Sequence, residues 1–208
     1  MPLHYFHKDG NRVLGIWKVT ETEDWFKQQL DAPWIAEELE CYSASVRRME
    51  YLAVRMLLKE LTGFVCRVKH LPSGKPFLEN LVASVSISHT KGYAAVLLDE
   101  AGANPGIDIE YYADRVCKIA SRFMHPEEWQ ESTGPDDVKW LLLHWSAKET
   151  LYKRLEVDEV DFCQHLRLLP FVLSGEGSLQ ACEFRTPENR HFDIHYLFEN
   201  DFVLTWSV

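Results

Sequence analysis

The chain has 208 residues, 46% hydrophobic and 26% charged, with a net charge of −10. That length suits one large domain or two small ones, and the acidic balance argues against a general nucleic-acid binder. No apolar run reaches the roughly 18 residues of a membrane span. Met1 to Gly15 is too polar and interrupted for a signal peptide. Cys41, Cys66, Cys117, Cys163 and Cys182 are scattered without metal-finger spacing, so reduced thiols in a cytoplasmic protein are expected.

Thr22 to Glu40 reads as largely helical, interrupted near Pro33. Val46 to Leu61 reads as a strong helix stopped by Gly63 as its C-cap. It is apolar most of the way round, which predicts burial, yet it carries Arg47, Arg48 and Arg55. Arg48 and Arg55 are seven apart and share a face. Arginines on a buried helix seek anions: phosphate is one candidate, the chain's own acids are another.

Ser73-Gly74-Lys75-Pro76-Phe77 predicts a tight turn with one exposed lysine. Val85 to Thr90 alternates as a strand with a polar end, Gly92 to Leu98 is an apolar strand, and the turn Gly102 to Gly106 feeds a third. These three are expected to be antiparallel neighbours. Their ends would then gather Lys75, Ser88, His89, Asp108 and Glu110. A lone histidine at a strand end is usually a hydrogen-bonded surface residue, so His89 gains interest only from that company.

The third strand carries the first chemical signal. In Gly106-Ile107-Asp108-Ile109-Glu110 the side chains at i and i+2 share a face. Asp108 and Glu110 therefore point one way, Ile107 and Ile109 the other. Paired carboxylates repel unless a cation or proton lies between them; the alternative is a solvated acidic face. Tyr111 to Met124 then reads as a helix ending before Pro126. Arg115, Lys118 and Arg122, at i, i+3 and i+7, form a basic stripe beside Ile119, either a dock for an acidic partner or a solvated face.

Gly134, Pro135 and Asp136 predict a turn and N-cap for a helix from Lys139 to Leu155. Trp145, Glu149 and Lys153 are spaced i, i+4, i+8 on one face, flanked by Lys148 and Tyr152. A surface Glu-Lys pair is worth only a few tenths of a kcal/mol, but Trp145 on the same stripe argues that this face is partly buried. Three acids and a lysine are the parts needed to hold a divalent metal and act on a phosphate-linked group. Further on, Gly175-Glu176-Gly177 reads as a hairpin turn, too short for a nucleotide loop. His191 and His195 sit in an alternating strand and read as an exposed polar face rather than metal ligands. Asp201 to Val208 is a last strand.

Residues 53–61 and 147–155 agree at four of nine positions at an offset of 94, a faint internal repeat. The expectation is an α+β protein of two similar halves, 1–104 and 105–208, with the metal site in the second and a ligand cleft between them.

Gly74-Lys75-Pro76, Ser86-Ile87-Ser88-His89, Gly106 to Glu110, and Trp145-Ser146-Ala147-Lys148-Glu149 with Lys153 resemble, in order and spacing, the 4'-phosphopantetheinyl transferases. The resemblance is specifically to the larger, pseudo-dimeric Sfp type. The helix with Arg48, Glu50, Leu52 and Arg55 extends it towards the N-terminus; nothing after about residue 156 contributes. The resemblance implies two α+β halves about a pseudo-twofold axis. It implies Mg²⁺-dependent transfer of the phosphopantetheine arm of coenzyme A to a serine of an acyl or peptidyl carrier protein. It also implies Mg²⁺ held by Asp108, Glu110 and Glu149, Lys153 by the pyrophosphate, and coenzyme A bound by Lys75, Ser88 and His89 with help from Arg55 and Arg48. Glu149 and Lys153 would be the catalytic pair. Arg115, Lys118 and Arg122 would face the acidic carrier. A monomer without nucleic-acid or membrane partners is expected. The rival readings are a non-catalytic member that binds coenzyme A or a carrier, and another metal-dependent phosphate-transfer enzyme.

Overall fold

A computed structural model describes residues 3–129 and 137–208. The chain divides into two compact units, Met1–Asn104 and Pro105–Val208. Each is a mixed α+β unit with one antiparallel sheet and helices.

Unit 1 opens with the hairpin β1 (Leu3–Asp9) and β2 (Arg12–Lys18). Two short helices follow, α1 (Glu23–Gln29) and α2 (Pro33–Leu39). Thr22 caps α1 by accepting from the Trp25 amide. Pro33 occupies the first turn of α2, where its missing N–H costs nothing. The long helix α3 (Ser45–Thr62) ends at Gly63, whose φ of 83° closes it in the left-handed conformation. The strands β3 (Val68–His70), β4 (Pro76–Leu78), β5 (Ser84–Thr90) and β6 (Tyr93–Asp99) complete a sheet of order β1-β2-β6-β5-β4-β3. α3 packs on this sheet through Leu52, Leu57 and Leu58, which are fully buried.

Unit 2 begins with β7 (Gly106–Tyr111), followed by 3-10 segments at Asp114–Arg122 and Pro126–Glu128. Then come the helix α4 (Val138–Arg154) and the strands β8 (Leu166–Leu168), β9 (Glu176–Glu183), β10 (His191–Phe198) and β11 (Phe202–Ser207). The sheet order is β7-β11-β10-β9-β8. α4 covers one face, with Trp140, Leu143, Ala147 and Leu151 in the core. Its N-cap is Asp137, which accepts from the Trp140 amide; Gly134, Pro135 and Asp136 lie outside the described residues.

Three sequence expectations need correcting. β5 and β6 are antiparallel neighbours, but β7 does not join them: it pairs with β11 in the second sheet. The chain leaves β6 at Asp99, whose carboxylate accepts from the Ala101 and Ala103 amides and turns the backbone away. The segment after β7 is a 3-10 helix rather than an α-helix, and Tyr111 still belongs to the strand. Glu176 and Gly177 are strand, not turn, paired with Leu197 and Tyr196. Gly177 fits there because a Cβ would lie 3.1 Å from the Tyr196 hydroxyl. No helix among the described residues is long and apolar enough to cross a membrane.

Candidate active site

The alternation in β7 places Asp108 and Glu110 on the face covered by α4, while Ile107 and Ile109 are buried on the other. The stripe on α4 meets them in reverse order. Trp145 Nε1 donates to Glu110 Oε1 at 2.7 Å. Two turns later, Lys153 Nζ donates to Asp108 Oδ1 at 2.9 Å and to the Ile107 carbonyl at 2.8 Å. Glu149 lies on the helix between these two anchors.

The helix is held in this register from below. Ser146 and Thr150 both share hydrogen bonds with the Thr205 hydroxyl of β11, at 2.9 and 2.7 Å. Thr205 is the β-ladder partner of Asp108. Gly106 lets α4 approach: a Cβ there would stand 2.2 Å from the Thr150 carbonyl oxygen.

The electrostatics follow from crowding. Burial, and then the charges of Asp108 and Glu110, push the Glu149 carboxyl up to about 7, against the pull of Lys153. Glu110 is also pushed up, by burial and then by Asp108, while the Trp145 N–H, Arg115 and Lys153 oppose the rise. Asp108 is only 5% exposed and is ion-paired with Lys153.

Among the described residues no group of three His, Cys, Asp or Glu side chains is arranged as it stands to hold a metal ion. Asp108 is turned onto Lys153 and Glu110 onto Trp145. The donor set nonetheless fits a hard cation: the ligands would all be carboxylate oxygens. Their mutual repulsion, felt as raised proton affinity at Glu110 and Glu149, is what a divalent cation relieves.

Arg115, Lys118 and Arg122 are all exposed on the 3-10 segment. At about three residues per turn, Arg115 and Lys118 align, and Arg122 falls about a third of a turn away. The single stripe expected of an α-helix is therefore split.

The remaining residues belong to unit 1. Arg48 is committed within its own unit: its guanidinium grips Glu23, Nε to Oε2 at 2.9 Å. Arg48, and then Lys27, hold the Glu23 carboxyl down at about 2. Arg55 is buried at 7% exposure, stacked 3.7 Å above the Tyr51 ring and 3.8 Å from Glu38. His89 is exposed, with Nδ1 3.5 Å from Glu50, which also pairs with Arg47. Ser88 is buried on β5, and Lys75 is half-buried beside the Gly74 turn.

Sequence reasoning missed two contributors. Lys148, which the spacing puts at the flank of the stripe, is 0% exposed, with Nζ donating to Glu128 Oε2 at 2.7 Å and to the Phe123 and Phe162 carbonyls. The C-terminal strands, which carry no motif, supply β11 as the partner of β7. The alternation of residues 201–208 signalled a strand, though nothing local named its partner.

Residues 104–207 match the 4'-phosphopantetheinyl transferase superfamily, a span that takes in the β7–α4 acids and Lys153 but none of the unit 1 candidates. The chain belongs to this superfamily. The matched half contains Asp108, Glu110, Glu149 and Lys153, and the mixed α+β architecture is compatible with a phosphopantetheinyl transferase fold. No curated protein matches the chain.

Proposed function

We propose that this phosphopantetheinyl transferase superfamily member moves the 4'-phosphopantetheine arm of coenzyme A onto a serine of an acyl or peptidyl carrier protein. The other product is adenosine 3',5'-bisphosphate. The observation that carries this reading is the crowding of three carboxylates on β7 and α4, with Lys153, one helical turn beyond Glu149, bonded to Asp108.

Asp108, Glu110 and Glu149 would hold Mg²⁺. When bound, it would offset the negative charge of the coenzyme A pyrophosphate. The chain's own residues do the rest. Glu149 takes the proton from the carrier serine as its oxygen bonds to the β-phosphorus. The bond from that phosphorus to the bridging oxygen of adenosine bisphosphate breaks, and the electron pair stays on that oxygen. Lys153, partly buried between Asp108 and the Ile107 carbonyl, stabilises the charge that develops there. Lys75, Ser88, His89 and Arg55 would contribute to coenzyme A binding. Arg48 would do so only after leaving Glu23. Arg115, Lys118 and Arg122 would attract the acidic surface of the carrier.

The test is the intact mass of apo carrier protein after incubation with this chain, coenzyme A and Mg²⁺, with and without EDTA. A metal-dependent gain of about 340 Da, the mass of the arm, is expected. No gain across a panel of carriers, with coenzyme A still bound, would replace this reading with a non-catalytic one.

A further inference from the structure

The buried Lys148–Glu128 pair does not touch the acid cluster, yet its connections lead there. Lys148 Nζ holds the carbonyl oxygens of Phe123 at 2.5 Å and Phe162 at 3.1 Å, as well as Glu128 Oε2. Glu128 in turn accepts from the His125 amide at 2.7 Å and the Leu168 amide at 2.8 Å. One lysine thus fixes two loop segments against α4. The rings of those two phenylalanines both pack against Trp145. Phe123 meets it edge-on at 5.3 Å and Phe162 lies tilted at 5.5 Å. The indole thus packs on two aromatic rings whose backbones are tied to Lys148. Its N–H points at Glu110 Oε1, 2.7 Å away.

We propose that Trp145 is the positioning residue for Glu110: the packed indole donates to Oε1 and fixes the plane of the carboxylate that would hold the cation. The proposal rests on the metal-dependent reading above. It differs from a packing role in what it requires of the N–H. A carboxylate free to rotate must be ordered each time it binds a cation, and an outer hydrogen bond removes that cost in advance. Trp145→Phe keeps an aromatic ring against Phe123 and Phe162 and loses the donor.

The test has two arms. In the first, ¹⁵N–¹H spectra of the whole chain identify the Trp145 indole resonance, one of seven tryptophans, as the one missing in Trp145→Phe. In Glu110→Ala that resonance is expected to move to the position of an indole without a charged acceptor. This readout needs neither metal nor activity, and an unmoved resonance overturns the proposal. In the second, Mn²⁺, which shares the preference of Mg²⁺ for carboxylate oxygens, is titrated into metal-free protein and followed by its paramagnetic resonance. Trp145→Phe should bind it about tenfold more weakly. Its Mg²⁺ requirement for transfer should rise in parallel, with KM for the carrier unchanged. Wild-type protein that binds Mn²⁺, with a variant that binds equally well, sinks the proposal alone. Wild-type protein that binds no Mn²⁺ and transfers without Mg²⁺ leaves the transferase reading standing but sinks its metal dependence, and the proposal with it.

Discussion

Gly106 and Thr150 set the distance between β7 and α4: a Cβ at residue 106 would lie 2.2 Å from the Thr150 carbonyl oxygen and 2.8 Å from Arg154 Cγ. The first obstacle is helix backbone, which cannot turn aside as a side chain can. Gly106→Ala must therefore push α4 off the strand. Overpacking of this kind costs about 1–3 kcal/mol, measurable by urea denaturation. Because Lys153 reaches Asp108 and the Ile107 carbonyl across this gap, transfer should fall by at least tenfold. A variant with wild-type turnover would show that the separation does not matter to the chemistry.

Removing the acids should separate activity from stability. Asp108→Ala and Glu149→Gln are expected to abolish transfer while the fold survives. For Glu149 the sign of the stability effect is fixed by its raised proton affinity. The folded state binds a proton more tightly than the unfolded chain, about 7 against 4.5. Its stabilising contribution is therefore lost as pH rises from about 4.5 to about 7. Metal-free Glu149→Gln should then be at least as stable as wild type at pH 8, read from urea midpoints. A variant clearly less stable at pH 8 would contradict the crowding of the three carboxylates.

Much of this site was legible in local spacing. The i, i+2 alternation put Asp108 and Glu110 on one face, and the i, i+4, i+8 stripe put Trp145, Glu149 and Lys153 on another. Both patterns are short-range consequences of backbone geometry. What the sequence could not disclose was pairing at long range. β7 lies next to β6 in the chain but next to β11 in the sheet, ninety residues away by sequence. Gly106 read as a turn glycine because its real constraint, the Thr150 carbonyl, belongs to another element. The 3-10 geometry of Asp114–Arg122 was equally hidden, since Val116, Ile119 and Ala120, at i, i+3 and i+4, have the spacing of an α-helical apolar face. Lys148 reads only as a flank of the stripe because its partner, Glu128, lies twenty residues earlier in an irregular segment.

Lys148→Met tests how much rests on that pair. Both groups are fully buried, and removing one leaves Glu128 charged without its cation, a loss of about 3–5 kcal/mol. The Phe123 and Phe162 carbonyls lose a donor as well. Converting Glu128 to Gln alongside should not restore stability, because Glu128 accepts from two backbone amides that an amide group cannot satisfy together. Urea unfolding of the single and double variants decides the matter. Full recovery in the double variant would mean that charge alone was the problem.

His144 gives the fold an acid sensitivity. It is 1% exposed, 2.9 Å from the Trp140 carbonyl and packed against the Trp140 and Phe171 rings. Burial, with the Lys148 charge adding to it, pushes the imidazole down to about 3. The unfolded chain takes up a proton near 6.5 and the folded chain does not. Stability present above that pH is therefore lost as pH falls towards 3, by up to about 1.4 kcal/mol per pH unit. His144→Gln should flatten the decline between pH 6.5 and 5, seen as a smaller shift in the urea midpoint. An unchanged decline would assign the acid sensitivity to other groups.

The split basic surface sharpens the expectation for carrier recognition. Arg115 and Lys118 align on the 3-10 segment, whereas Arg122 turns aside, so reversing the first two should raise the carrier's KM more than reversing Arg115 and Arg122. Arg115 is not a clean probe, because its charge also helps hold down the Glu110 carboxyl. Reversing it changes the charge around the acid cluster as well, so the Mg²⁺ requirement should shift too. Lys118 has no such tie and is exposed. Lys118→Glu is therefore expected to raise the carrier's KM several-fold, more at low salt than at high salt. KM for coenzyme A and the Mg²⁺ requirement should stay unchanged. Equal damage to carrier and coenzyme A kinetics would remove this surface from carrier recognition.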